Sequence, residues 1–93
     1  MKKNIVDNKE LLQLELYFED VLVGRVEYKM YNNYIDYTFI FVDPNYRGQK
    51  IALQLAEIAY SHNMESQLKA NVSCGVLNKI LKENEQFSNF NWL

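Results

Sequence analysis

Apolar and polar residues alternate over most of the first half of the chain. Leu12, Leu14, Leu16 and Phe18 fall at every second position, with Gln13, Glu15 and Tyr17 between them. That spacing predicts a strand with one buried face. After a turn at Glu19-Asp20, Leu22, Gly24, Val26, Tyr28 and Met30 alternate with Val23, Arg25, Glu27 and Lys29. This predicts a second strand with its charges on the outer face. Asn32-Asn33 predicts a hairpin turn, because asparagine tolerates positive φ. A third strand is expected over residues 34–42, with Ile35, Tyr37, Phe39 and Phe41 sharing one face. Three such strands joined by short turns form an antiparallel meander.

Asp43-Pro44-Asn45 ends the sheet pattern, since proline lacks an N–H and Asp and Asn favour turns. The period then changes. Ile51, Leu55, Ile58, Ala59 and His62 follow helical spacing, with Ala52 and Ala56 beside them, which predicts an amphipathic helix over about residues 49–63. Residues 68–72 read as a short fourth strand, expected beside and parallel to the third. Leu77, Ile80 and Leu81 mark a last helix over about residues 74–84, with Ser73 as its expected N-cap. Phe87, Phe90 and Trp92 form an aromatic tail expected to pack back on the core. The order is β-β-β-α-β-α, an α/β (α+β) fold. Each helix starts directly after a strand, so both N-termini should open at one edge of the sheet. Their unpaired N–H groups and partial positive charge suit an anion there.

The chain has 93 residues, 48% of them apolar, enough for one domain spanning residues 1–93 and too few for a second core. No stretch approaches the roughly 20 apolar residues that span a bilayer. The N-terminus has two lysines without an apolar run behind them, unlike a signal peptide. The single cysteine, Cys74, allows no internal disulfide, so a cytoplasmic location is expected. Net charge is −2, which argues against generic nucleic-acid binding. The charge is uneven. Residues 1–46 carry five Lys/Arg against eight Asp/Glu, whereas residues 47–82 carry five against two. An anionic ligand should visit the second block, although single lysines there also serve simply to solvate helix faces.

The strongest local signal is Val42-Asp43-Pro44-Asn45-Tyr46-Arg47-Gly48-Gln49-Lys50-Ile51-Ala52. A pyrophosphate needs several backbone N–H donors and a residue without bulk where it approaches. Gly48 ahead of a helix offers this, and Arg47, Gln49 and Lys50 add donors. The segment resembles the acetyl-CoA signature of the GCN5-related N-acetyltransferase superfamily, Arg/Gln-x-x-Gly-x-Gly/Ala at a strand-to-helix turn. Arg47 and Ala52 match its first and last positions, while Lys50 stands where the signature has its internal glycine. Lys50 is expected in the first helical turn, where a lysine is tolerated and its ammonium can meet a phosphate. Leu68-Lys69-Ala70-Asn71-Val72-Ser73-Cys74, followed by Leu77, Lys79, Leu81, Lys82 and Phe87, is similar to the end of the very short single-domain members of that superfamily.

For such a protein the resemblance implies a small GNAT-like fold and an acetyl-CoA or coenzyme A site. The pyrophosphate would lie on residues 48–52, so Arg47, Gly48, Gln49, Lys50, Ile51 and Ala52 are candidate binding residues. The pantetheine would pair with backbone near Phe41 and Val42, in a splay between the third and fourth strands. Asn71 and Lys79 join the candidates from the second matching segment. The thioester would end near Cys74, and an N-acyl transfer to an amine is implied. The alternative is a coenzyme A-binding or interaction module of the same fold without transfer activity. The chain is also shorter than ordinary members and lacks the elements that usually shape their acceptor pocket.

Cys74 is the candidate nucleophile. A helix N-terminus favours a thiolate, which can take up an acyl group and pass it on. A free cysteine is equally often a small buried hydrophobe. His62, the lone histidine, reads as structural, a cation beside its helix end. With one histidine and one cysteine, no zinc site is expected. Asp36, Glu27 and Glu15 occupy expected exposed strand positions, and nothing singles out a general base among them. The seven tyrosines read as filling for the sheet faces and hairpin.

Overall fold

The computed structural model describes residues 2–93. The strands are β1 (Lys3–Asn8), β2 (Gln13–Phe18), β3 (Val21–Met30), β4 (Tyr34–Val42) and β5 (Lys69–Val72), and the helices are α1 (Ile51–Ser66) and α2 (Gly75–Glu83). Single 3-10 turns lie at Pro44–Tyr46 and Glu85–Phe87. The five strands form one sheet in chain order, antiparallel throughout except that β5 runs parallel to β4. Both helices pack on one face of this sheet and against each other. Among the described residues no helix is long and apolar enough to cross a membrane.

The expected meander, the parallel β5 and the two helices are all present. One further strand, β1, was not expected. Its sequence, KNIVDN, has only two apolar residues, and it runs along the sheet edge with Ile5 57% exposed. A strand held mainly by backbone pairing to β2 leaves little periodic trace.

Two β-bulges overturn the expected faces of the central strands. In β3 the pairing passes from Leu16↔Gly24 to Tyr17↔Leu22, so Val23 is the extra residue and is fully buried, while Leu22 is only partly so. In β4 the pairing passes from Glu27↔Phe39 to Tyr28↔Tyr37, and Thr38 is the extra residue. An inserted residue reverses the inward set beyond it. Ile35 and Tyr37 therefore face the helices, but Phe39 and Phe41 do not continue that face. They lie on the outer face, where the Arg25 guanidinium sits 4.7 Å from the Phe41 ring centroid and 5.9 Å from that of Phe39. Ile40 and Val42 pack toward the core instead.

The core joins Leu14, Leu16, Val26, Ile35 and Tyr37 of the sheet to Ile51, Leu55, Ile58 and Ala59 of α1 and Leu77 and Leu81 of α2. Burying one such leucine contributes about 1.5–3 kcal/mol. Gly24 sets how closely α1 approaches. A Cβ there would stand 3.0 Å from the Phe41 carbonyl oxygen, 3.0 Å from Ile51 and 3.1 Å from Leu55. Asn63 ties the far end of α1 into the fold. Wholly buried, it donates to the Leu68 carbonyl (3.0 Å) and accepts from the Asn91 N–H (2.9 Å). The aromatic tail packs inward as expected, with Phe87 and Phe90 buried. Residues 91–93 also pair with the outer edge of β5 around Ala70.

Candidate functional site

β4 and β5 pair only from Tyr34↔Lys69 to Tyr37↔Val72. Beyond that point β4 continues to Val42, whereas the chain after β5 turns away into α2. The Cys74 N–H donates to the Tyr37 carbonyl (3.2 Å) at the fork. The two strands thus splay apart, and the upper edge of β4 has no strand beside it. A cleft of about 540 Å³ opens there, lined by Ile40, Val42, Arg47, Gly48, Lys50, Ile51, Ala52 and Val76.

The loop entering the cleft is shaped by local chemistry. The Asp43 carboxylate accepts from the Asn45 N–H (2.8 Å), fixing the 3-10 turn that Pro44 begins. Gly48 follows with φ +85°, a conformation that suits glycine. Lys50 comes next with φ +58° and ψ +35°. The expectation that Lys50 lies in the first helical turn is therefore corrected. It is the N-cap of α1 in the left-handed region, and α1 starts at Ile51 rather than near residue 49. The position is one where glycine would be unstrained, in keeping with the glycine of the resembled signature.

Neither helix N-terminus at the fork has a side-chain cap. Ser73, the expected cap of α2, is not one; Cys74 holds the N-cap position. The Ser73 hydroxyl and N–H donate to Asp36 instead (2.7 and 3.1 Å). The first N–H groups of α1 thus remain available to a ligand. Arg47 and Lys50 are exposed and enter no ion pair among the described residues. A positive helix end, two free cations and a glycine turn together fit a phosphate-bearing group.

Six of the ten residues singled out as cofactor-binding line this cleft: Val42, Arg47, Gly48, Lys50, Ile51 and Ala52. The other four lie elsewhere. The Phe41 side chain is on the opposite face, against Arg25. Gln49 is exposed, and its carbonyl accepts from Gln54. Asn71 bonds to Asp36 and Ser73 on the outer face. Lys79 is exposed, 4.0 Å from Glu83 one turn along α2. Two lining residues escaped the sequence reading. Ile40 was hidden by the bulge, whereas exposed Val76, an apolar residue just inside a helix start, was a usable signal. Cys74 is half-buried at the point of the fork and packs against the core.

The three strand carboxylates differ. Glu15 is corrected from exposed to buried, at 6% exposure. Burial raises its pKa, but hydrogen bonds from Gln13, Asn8 and Tyr17 and the nearby Arg25 charge outweigh this and leave it below the ordinary value. Glu27 is paired with Arg25 (2.9 Å). Asp36 alone stands beside the fork.

His62 lies away from the fork. Its Nδ1 meets the Tyr37 hydroxyl (2.7 Å), its ring packs on Tyr28, and its Nε2 lies 3.7 Å from Asp7. Burial lowers its pKa below the ordinary value, partly offset by Asp7 and Glu65. The expected cation at the helix end is therefore a neutral imidazole at neutral pH. Burial first, then the acidic neighbours Tyr28 and Asp7, raises the Tyr37 pKa, so the hydroxyl keeps its proton and shares its hydrogen bond with Nδ1. Among the described residues no group of three His, Cys, Asp or Glu is placed to hold a metal ion.

No curated protein matches the chain. A family model described as GCN5-related N-acetyl-transferase matches residues 13–90, from the first residue of β2 through the fork and both helices to Phe90. The chain belongs to the GCN5-related N-acetyltransferase family.

Proposed function

We propose that the protein uses the fork cleft to bind an acyl-coenzyme A, with acetyl as the acyl group, and transfers the acyl group to an amine. Membership of the family supports a general acyl-transfer role. The observation that carries the finer reading is the uncapped start of α1 behind Gly48 and Lys50, flanked by the free charges of Arg47 and Lys50.

In this reading the backbone N–H groups of Ile51 and Ala52 hold the pyrophosphate, with Arg47 and Lys50 adding charge. The unpaired edge of β4 near Phe41 and Val42 orients the pantetheine, and Ile40, Val42 and Val76 exclude water from it. When bound, the thioester supplies the activated acyl carbon near Cys74. Cys74 would attack that carbon through its sulfur, and an S-acyl bond would form as the thiol of coenzyme A leaves with the proton that Cys74 gives up. The acceptor amine then attacks the S-acyl carbon, the amide C–N bond forms, and Cys74 recovers a proton from the amine.

Calorimetry with coenzyme A and intact-mass measurement with acetyl-CoA test the two steps separately. The expected results are binding that weakens with added salt, and a mass gain of one acetyl group that Cys74→Ala abolishes. No binding at millimolar coenzyme A would end this reading. Binding and transfer that both survive Cys74→Ala would leave direct attack by the amine, with Cys74 lining the site. One observation favours a second reading, a coenzyme A-binding module without transfer: Lys50 puts a side chain at a left-handed position where the resembled signature has glycine. Under that reading coenzyme A binds, but no amine tried is acylated.

A further inference from the structure

We propose that a second cleft, between β1 and α1, binds a small organic amine, a protonated nitrogen on a compact apolar body. It shares no lining residue with the fork cleft and does not rest on the function proposed for that cleft. Its volume is about 480 Å³, within the roughly 300–1,000 Å³ of small-molecule sites.

The cleft is bracketed at both ends by contacts between β1 and α1. Lys3 Nζ donates to Gln54 Oε1 (3.0 Å) at one end, and Asp7 faces His62 Nε2 (3.7 Å) at the other. Between them the surface is apolar. Leu14, Leu16 and Ile58 form the floor, and Ile5 stands beside them largely exposed. Covering Ile5 is the apolar gain open to a ligand, since its side chain is otherwise in water.

The rim selects the charge. Glu57, Ser61 and Glu65 follow one another at four-residue spacing, which aligns them along one side of α1, and Asp7 opposes them from β1. Three carboxylates thus face the cleft. Its one lysine is already engaged with Gln54, and His62 is neutral at neutral pH. Asp7 is held for the task. Its Oδ1 accepts from the Tyr28 hydroxyl (2.8 Å), while Oδ2 stands beyond hydrogen-bond distance of His62 and keeps an open acceptor position. Asp7 and Glu65 both act on the charge of His62, more strongly than the opposing Lys9, so the two carboxylates dominate that end of the cleft. An ammonium there meets two carboxylates and the Ser61 hydroxyl, with the apolar body lying back over Ile5, Leu16 and Ile58. A carboxylate ligand would be repelled, and a neutral one would gain only the apolar contact.

The test is an NMR titration of backbone amides and methyl groups with phenethylamine, run beside 2-phenylethanol and phenylacetate. Saturable shifts centred on Ile5, Leu14, Leu16 and Ile58 are expected with the amine, and weaker ones with both controls. Glu65→Gln, at an exposed rim position, should weaken amine binding about three- to tenfold. Ser61→Trp, also exposed, should fill the cleft and abolish binding while the melting temperature is retained. Equal binding of amine and alcohol would overturn the proposal. So would tighter binding of phenylacetate, unsaturable shifts spread over the acidic surface, or a Ser61→Trp variant that binds like the original protein.

Discussion

The two sides of α1 treat polar groups in opposite ways. Toward β1 the rim is acidic and its half-buried groups are paired within the chain: Asp7 accepts from Tyr28, and His62 shares a hydrogen bond with Tyr37. At the fork the helix starts are uncapped, two residues hold positive φ, and Arg47 and Lys50 point into solvent unpaired among the described residues. Positive φ alone does not single the fork out, since Leu12, Glu19 and Gln67 share it elsewhere. Unmet donors persist where a ligand can meet them, and they fit the fork to the anion proposed for it.

The largest expected effect comes from closing the gap between sheet and helix. Gly24→Val drives a side chain into the Phe41 carbonyl and into Ile51 and Leu55, both in the first two turns of α1. Unfolding in urea should show a loss of about 3 kcal/mol. Because Ile51 also lines the fork, coenzyme A binding should fall with it; unchanged binding would separate the cleft from the packing of α1. Asn63→Ala strikes the opposite end of the same helix. It strips a partner from the Asn91 N–H and from the Leu68 carbonyl, and should cost about 2 kcal/mol without altering coenzyme A affinity.

Lys50→Gly should split stability from binding. Removing the Cβ from a left-handed position should stabilise the fold by about 1 kcal/mol. Losing the ammonium should weaken coenzyme A about threefold. Denaturation and calorimetry on one variant read both. Tighter binding would mean that the lysine obstructs the loop rather than serving it. The smallest effect is expected from His62. Its folded pKa lies below the ordinary 6.5, so the unfolded chain binds the proton more readily. The stability that the neutral imidazole contributes is complete above about pH 6.5 and is lost as the pH falls through the folded value. Melting curves against pH should show this slope flattened in His62→Gln.

Much of this contrast is written locally in the sequence. Alternation located β2, β3 and β4, helical spacing located α1 and α2, and Arg47-Gly48 before an apolar helix pointed to the fork. What stayed hidden depends on partners far along the chain. β1 is a strand because β2 offers it hydrogen bonds, not because its own residues repeat. Glu15 is buried because Asn8, Gln13, Tyr17 and Arg25 surround it, two from neighbouring strands and two on the same face two residues away. Lys50 adopts positive φ in the turn into α1, a conformation that its residue type does not announce.

The extra residue in β4 sets the strand's parity. Below Thr38 the odd-numbered positions face the helices, and above it the even-numbered ones do. A single deletion at Thr38 would remove the bulge and return β4 to plain alternation, with Tyr37 inward, Phe39 outward and Ile40 inward as before. A second deletion, at Ile40, would then turn Phe41 into the space beneath α1 and withdraw Val42 from the fork. The protein should therefore tolerate the loss of one residue here and fail at the loss of two, a rule that a short deletion series can read from folding yield alone.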